Sequence, residues 1–272
     1  MIKSQGVWGT YDCPDEVKQS FPFLKKSTKY TWKNNNVTFF YNDENCDEKI
    51  KYIVTLLDLI QPEHCPVHAD ILLSPVKKYF PKGNVFGVSN VNTGYTMGKK
   101  IVVFRKEEWF KVFIHECFHL FDFEKDLFDP SFTSRILKIF PVDSEVKVYE
   151  SYCELWARRL NCQIISMHKK IPFDLLLERE KKHSMQHMVN VLKHMGLTYQ
   201  DIQKPNSGFK EETSVLSYVV LANLMMQLSD YDLPEEKYVE FIEKNYNHPH
   251  FIHQVKHTIP TKTTTMSILS ID

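Results

Sequence analysis

The chain has 272 residues, 43% of them hydrophobic and 25% charged, with 34 basic and 34 acidic side chains. That length allows a sizeable core, in one large domain or in two lobes sharing a cleft, and the composition is ordinary for a soluble globular protein. A formal net charge of zero gives no electrostatic footprint for nucleic acid or an anionic membrane surface, so neither is expected as a partner.

The first ten residues, MIKSQGVWGT, lack the apolar core of a signal peptide. The longest apolar stretch, 215–228, is interrupted by Ser217, Tyr218, Asn223 and Gln227 and is too short to span a bilayer. A soluble, cytoplasmic, monomeric protein is expected. Its six cysteines (Cys13, Cys46, Cys65, Cys117, Cys153, Cys162) contain no C-x-x-C pair, which predicts free thiols in a reducing compartment.

Residues 1–35 give no clear pattern, with Pro14, Pro22 and the run Asn34-Asn35-Asn36 acting as punctuation. Residues 37–41 have strand composition. Residues 47–60 carry Ile50, Ile53, Val54, Leu57 and Ile60 on one helical face, and Pro62 and Pro66 end that helix. A second strand is expected at 69–74, then a turn or short helix at 75–81. The stretch 85–96 reads as extended chain broken by glycine, and 101–105 is the clearest strand.

A helix follows at once, holding His115-Glu116-Cys117-Phe118-His119, an H-E-x-x-H pattern. Four residues apart on a helix, the two histidines are rotated by only about 40° and sit one turn above each other, so their imidazoles can converge on one metal ion. Glu116 flanks them and can take a proton from a metal-bound water without being a ligand. Apolar residues at 110, 112–114, 118, 120, 121 and 123 mark a helix buried on most sides. There, two histidines and a carboxylate left unpaired would cost several kcal/mol, and a divalent cation would satisfy all three. Cys117 lies about 160° from the midline between the histidines and is expected to pack into the core.

After about residue 125 the strand signal fades. Helices are expected at 145–167, 181–195 and 213–228, with shorter pieces at 234–246 and 251–257. The expectation is therefore an α+β fold: a small mixed N-terminal sheet backed by helices over 1–125, a mainly helical lobe over 126–272, and a cleft between them.

An open metal site needs a third protein ligand. Asp122 and Lys125 exclude the variant in which a third histidine follows the motif on its own segment. A glutamate from the next helix is the other source. In Tyr149-Glu150-Ser151-Tyr152-Cys153-Glu154-Leu155-Trp156-Ala157, residues Glu150, Glu154 and Ala157 share one face. The competing reading of this helix is an exposed acidic stripe paired with Arg158 and Arg159.

H-E-x-x-H followed by a helix reading E-x-x-x-[D/E]-x-x-A resembles the gluzincin branch of the zincin metallopeptidases, over residues 85–160. The resemblance implies a zinc-dependent peptidase acting on a peptide or protein substrate. It implies His115, His119 and Glu150 as zinc ligands, Glu116 as general base, and Glu154 as the carboxylate that hydrogen-bonds a ligand histidine. The family has aspartate in that last position, so the substitution leaves Glu154 open as an alternative ligand. The resemblance further implies an edge strand that pairs with substrate, for which 88–92 with Ser89, Asn90 and Asn92 is the candidate. It also implies an oxyanion donor from the helical lobe: Tyr218 first, with Tyr152, His248, His250 and His253 as alternatives. Two other readings stand beside it, a catalytically inactive zincin scaffold kept for binding or structure, and a coincidental motif in an α+β interaction protein.

Overall fold

In the computed structural model, described for residues 10–229, 235–261 and 263–271, the chain is an α+β protein built on one five-stranded open mixed sheet. The strands are β1 (Lys26–Trp32), β2 (Asn35–Tyr41), β3 (His68–Leu72), β4 (Gly94–Met97) and β5 (Lys100–Val103), in spatial order β1-β2-β3-β5-β4. β2, β3 and β5 run parallel in the centre, with β1 and β4 antiparallel at the two edges. The helices of the N-terminal part are α1 (Asp15–Lys18), α2 (Cys46–Ile60), α3 (Val88–Val91) and α4 (Trp109–Leu120). The remainder contributes α5 (Pro130–Ile139), α6 (Val148–Lys169), α7 (Phe173–His194), α8 (Ala222–Leu228), α9 (Glu235–Asn245) and α10 (Pro249–His257).

Period-two alternation sorts the strand side chains into two layers. Val37, Phe39, Ala69, Ile71, Ile101 and Val103 face α2 and α4, meeting Ile53, Leu56 and Leu57 from one helix and Phe110, Phe113, Ile114 and Cys117 from the other. Leu72, Val102 and Phe104 face the opposite way and pack with Tyr11, Cys13, Val17 and Phe21. The helical part has its own core, formed by α5 to α10. α6 separates the two bodies: Cys153, Ala157 and Cys162 belong to the sheet-side core, and Val148 and Leu155 to the helical one. The 125/126 division is crossed once more at the end of the chain, where Ile271 is buried in the sheet-side core.

The expected strands at 37–41, 69–74 and 101–105 correspond to β2, β3 and β5, and the expected helices at 47–60, 145–167, 181–195 and 251–257 overlap α2, α6, α7 and α10, with 145–147 lying before α6 and residue 195 after α7. The expected helix at 234–246 is α9, with Pro234 outside the described residues. Three differences matter. β1 and α5 gave no usable pattern in the sequence. The segment 75–81 has no regular structure. The third is a correction: 88–92 is not an edge strand, because Val88–Val91 forms a helical turn in which Asn90 N donates to Gly87 O, Asn92 N donates to Val88 O, and the Asn90 side chain accepts from Gly87 N. The sheet edge is β4, two residues further on. Among the described residues no helix is long and apolar enough to cross a membrane.

Candidate metal centre

α4 is apolar on nearly every side because it lies between the sheet and α6, and eleven of its twelve residues are buried. Three of its polar residues, Lys111, His115 and His119, point along one line toward α6. Glu150 and Glu154 on α6 are one turn apart, so they meet this line at successive levels.

At the first level, His115 Nε2 and His119 Nε2 are 3.1 Å apart, and Glu150 Oε2 is 3.2 Å from the former and 3.4 Å from the latter. These three residues form a group that could hold a metal ion. At the second level Glu154 sits behind His115, its Oε2 3.3 Å from Nδ1. Glu154 is fully buried and its oxygens are committed elsewhere. Lys111 Nζ donates to Oε1 and Oε2 at 3.0 and 2.9 Å, and Arg158 Nε donates to Oε1 at 2.8 Å. The exposed acidic stripe is therefore overturned, since both Glu154 and Arg158 lie in the interior. Lys111 and Arg158 hold the Glu154 carboxyl far below its usual range against the opposing effect of burial.

The helix end supplies a carboxylate that the sequence pattern did not reveal. Asp122 takes a left-handed conformation (φ 54°), and Phe123 N donates back to Phe118 O at 3.1 Å. This reversal leads into a 3₁₀ turn at Lys125–Leu127 and carries Glu124 under the second histidine, with Glu124 Oε1 2.6 Å from His119 Nδ1. The signal was an aspartate suited to the left-handed region directly after the motif helix, followed by an acid two residues later. Glu124, His119 and Cys153 also form a second group with ligand-type atoms. At 2.6 Å the carboxylate and imidazole are in direct hydrogen-bond contact, closer than the roughly 3.4 Å that separates two ligand atoms on one zinc ion, so that group is less suited to an ion than the first.

Glu116 faces the cleft from the other side of the histidine pair. Thr96 on β4 donates its hydroxyl to Glu116 Oε2 at 2.9 Å and to Glu116 O at 3.0 Å, which fixes the carboxylate against the edge strand. Burial, with Glu150 nearby, raises the Glu116 carboxyl above its usual range although the histidines and Thr96 oppose this. β4 approaches this closely because residue 94 is glycine: a Cβ there would lie 2.7 Å from Val112 Cγ1 and 2.8 Å from Val102 O.

Tyr218 comes from a π-helical segment, Leu216–Leu221, that runs into α8. π turns are rare and concentrate at functional sites. The Tyr218 hydroxyl donates to Glu150 Oε2 at 3.0 Å, and burial keeps it protonated far above its ordinary range. Both histidines are held above their ordinary range. Burial pulls them down, but hydrogen bonds to Glu150 and Glu154 at His115, and to Cys153, Glu124 and Glu150 at His119, more than offset it.

A cleft of about 410 Å³ opens onto these groups, lined by Gly94, Thr96, His115, Glu116, His119, Glu150 and Tyr218 among others. Asn92 lines it too, its Oδ1 accepting from Thr213 Oγ1 at 3.0 Å. Ser89 and Asn90 do not line it. Ser89 O accepts from Arg105, and Asn90 is occupied with Gly87 N and Tyr79 O. The alternatives to Tyr218 also lie off the cleft: the Tyr152 hydroxyl donates to Glu235, His253 stacks on His257, and His248 and His250 lie at the start of α10.

The chain matches no protein-family model, no curated protein and no solved structure.

Proposed function

We propose that the chain is a zinc-dependent peptidase of the gluzincin type, with His115, His119 and Glu150 as ligands and Glu116 as general base. The observation that carries this reading is the triangle of donor atoms. Ligands about 2.0–2.1 Å from a tetrahedral zinc lie about 3.4 Å from one another, and the three separations here are 3.1, 3.2 and 3.4 Å. Two imidazoles and one carboxylate are the donor set of an open catalytic zinc, which keeps a position for water. Electrostatics support the same reading. The two histidines lie in a field that favours a positive charge on each, the setting in which a divalent cation can replace two imidazolium protons.

Zinc would supply Lewis acidity at the attacking water and at the substrate carbonyl. The chain's own residues do the rest. Glu154, locked by Lys111 and Arg158, places its carboxylate 3.3 Å from Nδ1 of His115, which favours a proton there and leaves Nε2 directed at the cleft, and Glu124 holds Nδ1 of His119 by direct contact at 2.6 Å. Glu116, its carboxyl raised by burial and steadied by Thr96, is suited to accept a proton and return it to the leaving amine. Tyr218 brings a protonated hydroxyl to the same side as Glu150, where it can donate to the oxyanion of the attacked carbonyl.

Glu116→Gln tests this reading. The variant is expected to keep its zinc, because Glu116 is not a ligand, and to lose hydrolysis of a denatured protein substrate. A variant that hydrolyses as fast as the parent chain would refute the assignment.

A further inference from the structure

Beside His115, Glu116 and Tyr218 a small side pocket leaves the cleft, with about 20 Å³ of free space, room for a single water molecule. Val91, Val112, Lys111 and Gly94 form part of its wall, and Met266 closes it from the far end of the chain. Met266 is buried, although the segment that carries it has no regular secondary structure.

That segment is held by an unusual investment of buried polar groups. His183 Nε2 lies 2.9 Å from Thr265 O, Ser267 N donates to Glu108 Oε1 at 2.6 Å, and Ile268 N donates to Glu180 Oε2 at 3.1 Å. Further along, Ile271 O accepts from Lys49 Nζ at 2.8 Å and from Trp109 Nε1 at 3.0 Å. The anchors at 265 and 267 flank residue 266, so the Met266 side chain has little freedom to withdraw. Glu108 is also the residue that precedes α4, in a left-handed conformation (φ 58°), so the helix bearing the histidines and the segment bearing Met266 share one fixed point.

We propose that Met266 sets substrate specificity: it closes the pocket next to the metal ligands and restricts the substrate side chain entering there to a small one, such as that of glycine, alanine or serine. The inference rests on the peptidase reading and adds the substrate class to it. A residue with a branched or aromatic side chain needs several times the available space, and the other walls include Gly94, already close-packed on Val112 and Val102, and His115, Glu116 and Tyr218 of the candidate metal centre, which cannot recede without disturbing it.

The test is calorimetric binding of glycine, alanine, leucine and phenylalanine hydroxamates to the zinc-loaded full chain, with Met266→Ala and Met266→Leu alongside. The parent chain should bind the glycine and alanine compounds at least ten-fold more tightly than the leucine and phenylalanine ones. Met266→Ala should reduce that preference by ten-fold or more, and Met266→Leu, which retains the bulk, should keep it. Binding by the parent chain without size dependence would overturn the pocket assignment alone, as would a preference that Met266→Ala leaves intact. Failure of every hydroxamate to bind a zinc-loaded chain would overturn the peptidase reading and this inference together.

Discussion

Gly94→Ala is the perturbation whose outcome the packing of β4 on α4 determines most sharply. Gly94 has no positive φ, so alanine fits its backbone conformation and would, through the unfolded state, add about 0.4–1 kcal/mol of stability. The new methyl, however, would sit 2.7 Å from Val112 Cγ1 and 2.8 Å from the backbone oxygen of Val102. The second contact cannot be relieved by a rotamer change, since Val102 is paired with Tyr95 in the sheet. Overpacking of this kind costs about 1–3 kcal/mol or more, which outweighs the entropic gain. In a chain of this size each kcal/mol moves Tm by about 2–4 °C, so a net cost of about 1–2 kcal/mol lowers Tm by about 2–8 °C. Relief by outward movement of β4 would carry Thr96 away from Glu116; on the proposed peptidase reading this depresses hydrolysis and leaves zinc content unchanged, since none of the three proposed ligands is on β4. Gly83→Ala is the control: nothing lies within 4 Å of its Cβ position, and it should be neutral to slightly stabilising in the same melt. A Gly94→Ala chain as stable as the parent, with full activity, would refute the close packing of β4 on α4.

Lys111→Met removes one of the two cations from the fully buried Glu154 and should cost about 3–5 kcal/mol in urea unfolding; a loss below about 1 kcal/mol would contradict the interior ion-pair network. Glu211, half-buried and accepting from Leu216 N at 2.8 Å at the start of the π segment, has its carboxyl raised by desolvation from 4.5 to about 8. The folded state thus prefers its protonated form, so its stabilising contribution is complete below about pH 4.5 and is lost as pH rises through about 8. Urea midpoints measured from pH 5 to 9 should fall with pH, and the fall should be shallower in Glu211→Gln, with a remainder from Glu180, whose carboxyl is raised to about 7 by burial. An unchanged slope in that variant would refute the assignment.

What was legible in the sequence follows from how local each feature is. The histidine pair and the glutamates of α6 were readable because helical spacing alone decides that residues four apart share a face. That Glu154 is interior was not readable, because its partner Lys111 comes from another helix and an acid followed by arginine four residues later looks the same on a surface. Glu124 depends on a left-handed residue at Asp122, a single backbone conformation that spacing does not encode. β1 escaped notice because, as an edge strand, its side chains are exposed or half-buried and its composition is polar. α3 was hidden by the glycine before it and by a length of only four residues. The role of the final segment was illegible for a different reason: its placement rests mostly on backbone groups meeting side chains more than 80 residues away.

The central claim is that Glu150 completes a zinc site with His115 and His119. Zinc content of the purified chain by atomic emission, measured for the parent and for Glu150→Ala, tests it most directly. About one equivalent in the parent and less than about a tenth in Glu150→Ala is the expected result. A parent chain that folds without zinc and takes none up, or a Glu150→Ala chain that retains its full equivalent, would contradict it.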